Sequence, residues 1–324
     1  MAGQGSTASP APPAARQRSI STERVAKVAE YVFPGNQRRI VLLHLDSLVC
    51  LPGLDYLIAA WKGRIAGVVS SDRLVGVGGF LRQLQVTLAQ SGVRMMLALG
   101  FDIVALRVAS FCARPLRHLA SRLGYRERLH TLREHASRMA LPYLNVRDIN
   151  TALNIEAVRQ LKPDLIVSFH FDQILRPTFL AAVGCPVINV HPAMLPAHRG
   201  PCPAFWTLAC GDESCGVTIH LILDAAIDAG PVILRREQRL PPGLCMGELD
   251  ERLFLEGARA LVSLVNDTSG SPISESARPQ GKYESFPDPS TVHAARRRGV
   301  RLWRLKHAVR LIGAMIGWRL RSAD

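Results

Sequence analysis

The sequence predicts an α/β fold built on a mostly parallel β-sheet, and three observations support this prediction. Short β-branched and apolar runs recur along the chain, helical segments separate them, and the composition is that of a packed globular protein. Of the 324 residues, 48% are hydrophobic and 20% are charged, which excludes a disordered chain. Strands that alternate with helices are typical of a parallel sheet covered on both faces.

Four strands of this sheet can be placed in chain order. The runs Arg39–Leu45 and Ile65–Ser70 predict the first two, and a helical segment, Leu54–Trp61, separates them. Two later strands, Leu165–Phe169 and Val187–His191, each begin shortly after a proline. Ligands of such sheets bind at the carboxyl ends of the strands, so the polar residues that follow these strands are the candidate site.

Residues 78–125 are predicted to form one or two amphipathic helices inserted between strands. The segment is strongly apolar from Met95 to Phe111, and arginines interrupt it. Packing on the sheet is one interpretation, and a face for a membrane surface or a partner is the other. No run reaches the ~18 consecutive apolar residues of a membrane-spanning helix, so we expect none.

The two ends of the chain differ in composition from the middle. Residues 1–37 predict a flexible tail without the apolar run of a signal peptide. Residues 266–324 predict a linker and a basic amphipathic helix, with apolar residues at helical spacing from Leu302 to Leu320. That helix either packs on the domain or lies on an anionic membrane or a polyanion. The formal net charge of the whole chain is +14.

The seven cysteines are irregularly spaced and form no CxxC motif. They predict neither a zinc site nor a disulfide framework, and they favour a reducing, cytoplasmic compartment. The basic helix leaves open a peripheral position at the inner face of the membrane.

The segment from Val187 to Leu234 holds the residues that predict chemistry. Asn189 and His191 stand two residues apart at a strand end and point to the same side, and Asp228 lies in a later turn-rich loop. An amide donates to a developing oxyanion, an imidazole moves a proton, and a carboxylate sets the charge of the imidazole. These residues fit acyl transfer, and a structural role for them stays open. No serine or cysteine elbow accompanies them, which favours direct transfer to the acceptor.

A series of motifs follows in order along this segment. They are Asn189-Val190-His191, Leu195-Pro196, Arg199-Gly200, Gly216-Val217-Thr218-Ile219-His220 and Asp228-Ala229-Gly230. The series resembles the signature of the 10-formyltetrahydrofolate-dependent formyltransferases. That family includes glycinamide ribonucleotide transformylase, methionyl-tRNA formyltransferase and the amino-sugar N-formyltransferases. The resemblance covers residues 38–72 and 130–260.

The resemblance implies a Rossmann-like catalytic domain over residues 38–265, with residues 78–125 inserted. Asn189 and His191 would contact the formyl oxygen, and Asp228 would pair with His191 and assist removal of the proton from the amine. The donor, 10-formyltetrahydrofolate, would bind between two loops. Its implied contacts, made mostly through the backbone, are Phe171, Asp172, Gln173, Ile174, Leu175, Asp224, Ala225 and Ala226. His220 is expected on a strand behind the site, and the implied chemistry requires no metal.

Departures from the family pattern shape the expected substrate. The first strand is followed by no glycine before Gly53, so a phosphate-binding loop is absent there. The residues after Asp250 are helical in pattern and Arg-rich, unlike a tRNA-binding β-barrel. We therefore expect N-formylation of a primary amine on an amino sugar or specialised metabolite, nucleotide-linked or lipid-linked, and no nucleic acid partner. The alternatives are a methionyl-tRNA formyltransferase-like enzyme, a formyltetrahydrofolate hydrolase and a silent folate-fold scaffold at a membrane. A homodimer is left open.

Overall fold

A computed structural model describes residues 39–72, 77–122, 129–266 and 281–315, without the side chains of residues 77–84 and 113–122. The predicted tail, residues 1–37, and residues 316–324 of the predicted terminal helix lie outside these ranges. In the described residues the strands form one seven-stranded sheet in the order β3-β2-β1-β4-β5-β6-β7. The strands are β1 (Ile40–His44), β2 (Ile65–Ser71), β3 (Tyr143–Val146), β4 (Leu165–Phe169), β5 (Val187–His191), β6 (Ser214–Leu221) and β7 (Val232–Arg239).

The first five strands pair in parallel, and β6 and β7 are antiparallel to their neighbours. This confirms the predicted α/β fold with a mostly parallel sheet. A short 3-10 helix, Leu48–Cys50, follows β1. The α-helices are α1 (Leu51–Ala60), α2 (Val77–Arg122), α3 (Leu132–Met139), α4 (Ala152–Gln160), α5 (Pro177–Val183), α6 (Pro203–Cys210), α7 (Met246–Asn266), α8 (Pro289–Arg297) and α9 (Leu305–Met315).

Every residue of β1 and of β4 is buried, which explains why these strands read as continuous apolar runs. Their side chains alternate between two cores. Leu42 of β1 packs with α1 and α7, whereas Val41 and Leu43 pack with α4 and α5. The sheet is therefore covered on both faces, and its polar chemistry is confined to the strand ends.

Helix α2 occupies most of the region predicted to be a helical insert and breaks at Gly92, where φ is +76°. It is attached to the domain from both sides. The backbone N–H of Val49 donates to Asp102 over 3.3 Å, and the indole of Trp303 donates to the carbonyl of Ala98 over 3.1 Å. By length and composition alone, Gln85–Cys112 is able to cross a membrane, which the count of consecutive apolar residues did not indicate.

The terminal helix α9 packs through a face that the sequence pattern did not indicate. His307, Ala308 and Leu311 are buried, whereas Leu305 and Val309, two members of the predicted apolar row, are exposed. His307 bonds to Glu251 of α7 over 2.5 Å and stacks on Trp303. This polar anchor explains why the helix is rotated away from its expected face.

Candidate active site

Four polar side chains meet where β5 and β6 end, and we call Asn189, His191, His220 and Asp228 the site cluster. Strands β5 and β6 are antiparallel, with Asn189 directly opposite His220 and His191 opposite Thr218. Directly opposed residues share one face of a sheet, so the side chains of Asn189 and His220 come together. Asp228 reaches the same place from the loop between β6 and β7, with φ at +47°.

The carboxylate of Asp228 is the centre of the site cluster. Its Oδ2 lies 3.5 Å from Nδ1 of His191 and accepts from the backbone N–H of Gly200 over 3.0 Å. Its Oδ1 lies 3.4 Å from Nε2 of His220 and accepts from Nδ2 of Asn189 over 3.3 Å. Burial alone would raise the pKa of Asp228, but the two histidines and the Gly200 N–H outweigh it and hold that pKa well below its usual range. Asp228 is therefore ionised at neutral pH.

His191 is buried with a hydrogen-bond acceptor near each ring nitrogen. Its Nε2 donates to the carbonyl of His198 over 2.9 Å, and its Nδ1 faces Asp228. Burial lowers the pKa of His191, and the Asp228 carboxylate opposes this effect only in part. The resting imidazole is therefore mostly neutral at pH 7, while a proton gained at Nδ1 would meet a carboxylate already in place.

His220 belongs to the site, contrary to the expectation that it lies behind it. Its Nδ1 bonds to the carbonyl of Leu221 over 3.0 Å, which leaves Nε2 to accept from Nδ2 of Asn189 over 3.1 Å. The signal was available in the sequence, since strand alternation puts Thr218 and His220 on one face of β6. The sequence did not show that β6 pairs antiparallel with β5, so it did not show that His220 lies beside Asn189.

The loop after β5 is held at both of its ends. Near its start, the hydroxyl of Thr218 donates to the carbonyl of Ala193 over 2.8 Å and accepts from the N–H of Leu195 over 3.0 Å. Near its end, Arg199 donates to the carbonyls of Gly281 and Ile227 over 2.8 and 2.9 Å. The motif residues Thr218 and Arg199 thus act by fixing loops around the site.

The segment after the linker also builds the site, which the sequence analysis missed. Glu284 and Asp212 hold the two nitrogens of the buried His198 at 2.9 and 2.7 Å. Tyr283 packs so closely that a Cβ at Gly200 would lie 2.8 Å from its ring and 2.2 Å from the carbonyl oxygen of Glu284. Gly200, with φ at +107°, is therefore needed at the point where two segments cross.

The site cluster opens into a cavity of about 540 Å³. The loops Phe171–Leu175 and Asp224–Asp228, implied to bind the folate donor, both line this cavity. Ala225 and Ala226 are exposed and small, so their backbone is accessible to a flat ring, and Ile174 is half-exposed beside them. The loop residues thus fit the donor, and their binding roles stay predictions.

Three of the implied donor contacts use their side chains elsewhere in the structure. The side chain of Gln173 is buried, accepts from the N–H of Ile149 and donates to Ser71, both over 2.8 Å. Leu175 is buried in the core. These two residues are left with their backbone for a ligand, and so is Asp224, whose carboxylate accepts from the N–H of Ala226 over 2.9 Å.

The wall of the cavity formed by α2 and α7 is acidic. Asp102 and Asp250 both line it, next to Ser47 and Trp303. Burial raises the pKa of Asp102 to about 6, and burial together with the charge of Asp102 raises the pKa of Asp250 to about 8. Two carboxyl groups in one desolvated wall favour a neutral or cationic ligand there and disfavour an anion.

Two groups of side chains within the described residues have metal-ligating atoms within 4.8 Å of one another, namely Asp55, His130 and His135, and His198, Cys210 and Asp212. In both groups a histidine is already bonded to a carboxylate: His135 to Asp55 at 2.5 Å and His198 to Asp212 at 2.7 Å. That the chemistry requires no metal stays a prediction.

Comparison with known proteins finds one family model and several curated proteins that are similar to part of this chain. The family model described as formyl transferase matches residues 127–265. Methionyl-tRNA formyltransferase of Roseiflexus sp. (strain RS-1) is 35% identical over 135 residues, covering 42% of this chain and 41% of that protein. The enzyme of the same name from Syntrophus aciditrophicus (strain SB) is 39% identical over 132 residues, covering 40% and 41%. The chain spans about two fifths of the length of the curated relatives it matches.

Several solved structures resemble this chain in fold at low sequence identity. Glycinamide ribonucleotide transformylase 1 from Symbiobacterium toebii aligns with a TM-score of 0.49 at 20% identity, covering 76% of this chain and 96% of that chain. A sugar N-formyltransferase from Shewanella sp. aligns with a TM-score of 0.46 at 15% identity, covering 76% of each chain. The region that matches the formyl transferase model, residues 127–265, contains the whole site cluster and both implied donor loops.

Proposed function

We propose that the protein transfers a formyl group from 10-formyltetrahydrofolate to a primary amine. The observation that supports this most directly is the site cluster itself: an amide, two imidazoles and an ionised carboxylate at the end of a cavity lined by two loops. When bound, the donor supplies an activated formyl carbon. The chain supplies groups that hold charge and move a proton beside that carbon.

The proposed roles follow from the contacts. Nδ2 of Asn189 donates to the formyl oxygen as negative charge develops on it, in place of its long 3.3 Å bond to Asp228. His191, protonated at Nδ1, stabilises the same charge. A neutral amine attacks the formyl carbon, and the ionised Asp228 takes a proton from the ammonium that results, directly or through a water. The bond between the formyl carbon and the donor nitrogen then breaks, and that nitrogen takes up the released proton as tetrahydrofolate leaves.

The acidic wall of the cavity limits which amines fit as the acceptor. The N–H of Val49, in the turn after β1, already donates to Asp102. A phosphate placed there would meet a carboxylate in place of a ring of free amides. We therefore favour an amine whose reacting end carries no phosphate, such as an amino sugar or another specialised amine, over a ribonucleotide.

A methionyl-tRNA acceptor is the second candidate, because curated relatives that match about two fifths of this chain are methionyl-tRNA formyltransferases. Hydrolysis of the donor and a silent folate-binding scaffold are further alternatives. A scaffold has no need for Asp228 to contact all three other members of the site cluster.

The test is incubation of the full chain with 10-formyltetrahydrofolate and a panel of amines, read by mass for the gain of one formyl group. The panel holds free, nucleotide-linked and lipid-linked amino sugars, methionyl-tRNA and amino acids. Formylation of an amino sugar or another amine whose reacting end carries no phosphate is the expected result. Formylation of methionyl-tRNA alone would establish the second candidate instead. Donor turnover without any formylated amine would indicate a hydrolase, and donor binding without turnover would indicate a scaffold.

A further inference from the structure

Helix α2 carries an apolar row on the side that faces away from the cavity. The row consists of exposed residues at helical spacing after the break at Gly92: Val93, Leu97, Phe101, Val104, Val108 and Phe111. Leu97 is 60% exposed and Phe111 is 75% exposed. Steps of three and four residues keep the row on one face of the helix, over a length of about 27 Å. Contiguous exposed apolar surface of this size marks an interaction site.

Two exposed arginines flank the apolar row. At 100° per residue, Arg94 lies about 70° from the centre of the row on one side, and Arg107 lies about 70° from it on the other. The only acidic residue of α2 is Asp102, which faces the cavity on the opposite side of the helix, whereas six arginines are spread along Val77–Arg122. The outward face is therefore apolar in the middle and cationic at its edges.

The neighbouring segment extends this surface. Trp303 packs edge-on against Phe101 of the apolar row, with ring centroids 5.1 Å apart. Just after it, Leu305 is 81% exposed and Val309 is also exposed. Over residues 281–315 the sequence has eight Lys and Arg against two Asp and Glu. Both helices thus present apolar side chains outward in a cationic setting.

From this charge pattern we propose that the apolar row of α2 docks on an anionic phospholipid membrane, with the protein lying on its surface. Apolar side chains enter the headgroup boundary while flanking arginines contact anionic lipids, which is the arrangement of interfacial helices. The helix lies on the bilayer and does not cross it, because its other face is fixed to the catalytic domain. Met95, Ala98, Leu106 and Ala109 are buried on that face.

The docking surface and the cavity share one wall. Phe101 and Val104 belong to the apolar row, and Asp102 and Ile103 between them line the cavity. Trp303 touches both. This geometry points to an acceptor amine that is anchored in the same membrane, such as a lipid-linked amino sugar. That inference rests on the proposed transferase function.

The experiment is sedimentation of the full chain with vesicles of phosphatidylcholine, with and without phosphatidylglycerol. We expect binding to the anionic vesicles that weakens with added salt, and at least tenfold weaker partitioning for L97Q/V108Q. R94Q/R107Q should partition onto the anionic vesicles about fivefold more weakly for each arginine removed. The matched controls are Leu153→Gln, which removes an 80% exposed leucine from α4, and R236Q on β7. Both controls should bind like the unchanged protein.

Four results would overturn the docking proposal. They are no binding to anionic vesicles at low salt, equal loss of binding in L153Q, resistance of the bound protein to an alkaline wash, and a dimer that L97Q/V108Q converts to a monomer. Resistance to the wash would mean that the helix spans the bilayer, and the dimer would mean that a second copy covers the row. L97Q/V108Q is also assayed for formylation of a free soluble amine. If the variant formylates that amine, the proposed transferase function holds even where the docking proposal fails.

Discussion

The ends of β5 and β6 and the outer face of α2 represent two opposite ways to build a surface. At the strand ends, polar side chains bond to each other and to loop backbone, and glycines are set where a Cβ would collide. On α2, apolar side chains contact little of the protein. Many contacts fix each side chain at the strand ends, so we expect substitutions there to be destabilising or inactivating. Few contacts within the protein fix the outer side chains of α2, so their apolar character is explained by a partner outside the chain.

The sharpest test of the strand-end region is removal of the negative charge of Asp228. Asp228→Asn keeps the shape but cannot accept the proton of the ammonium or stabilise a protonated His191. We expect kcat to fall by about 10³-fold, within the range for a lost proton-transfer group, with donor affinity nearly unchanged. Steady-state kinetics on the amine found in the panel, with titration of the donor, measures both.

Asp224→Asn is the matched control, since it changes a carboxylate in the same loop that accepts from the backbone N–H of Ala226 in its own turn. Its kcat should stay within about threefold of the unchanged protein, a difference of less than 1 kcal/mol in barrier. Equal losses in the two variants would mean that the loop matters only as a scaffold and that Asp228 has no chemical role.

The glycine of the Asp-Ala-Gly motif tests how tightly the same region is packed. A Cβ at Gly230 would lie 1.7 Å from the carbonyl oxygen of Leu221, the residue after His220. G230A should therefore lower the free energy of unfolding by about 3 kcal/mol or more, because backbone has to move. The control is G63A, where φ is +83° but nothing lies within 4 Å of the added Cβ; it should cost only about 1 kcal/mol. Urea unfolding of both variants gives the comparison, and similar costs would contradict the close packing.

The two regions were not equally readable from the sequence. The sheet was, because β1 and β4 are buried on both faces and so are continuously apolar. Asn189, His191 and Asp228 were found through ordered motifs, and the structure brings them together; their roles remain predictions. His220 was misplaced because its position depends on antiparallel pairing with β5, a non-local fact.

Contacts across long separations were the least predictable. Glu284 contacts His198 although the two residues are 86 positions apart in the sequence, and no local pattern predicts such a pair. The expectation that Gln173 binds the donor through its backbone stays a prediction, but no local pattern indicated that its side chain accepts from the backbone N–H of Ile149. The helical spacing in α9 indicated a row from Leu302, yet the bond between His307 and Glu251 turned part of that row outward.

Asp102 of α2 and Asp250 of α7 both line the cavity, and pH tests how strongly burial acts on them. Folding raises the pKa of Asp250 to about 8, so the folded chain holds a proton that the unfolded chain releases. This destabilises the fold increasingly as pH rises from the unfolded pKa near ~4 to the folded value. Asp250→Asn should therefore be more stable relative to the unchanged protein at pH 8 than at pH 5, by more than about 1 kcal/mol. Thermal or urea unfolding at both pH values measures this, and a pH-independent difference would show that Asp250 is solvated when folded.

The smallest expected effect is the one that distinguishes the outer face of α2 from an ordinary packed helix. Leu97→Gln should change the free energy of unfolding by less than about 0.5 kcal/mol, because that side chain is mostly in solvent. On the opposite face of the same helix, Leu106→Ala should cost about 2 to 4 kcal/mol, since Leu106 is 3% exposed. Urea unfolding without lipid measures both. A large cost for Leu97→Gln would mean that another part of the chain or a second copy covers the apolar row in solution. A small cost, together with loss of vesicle binding, would mean that the row is maintained for the membrane and contributes nothing to the fold.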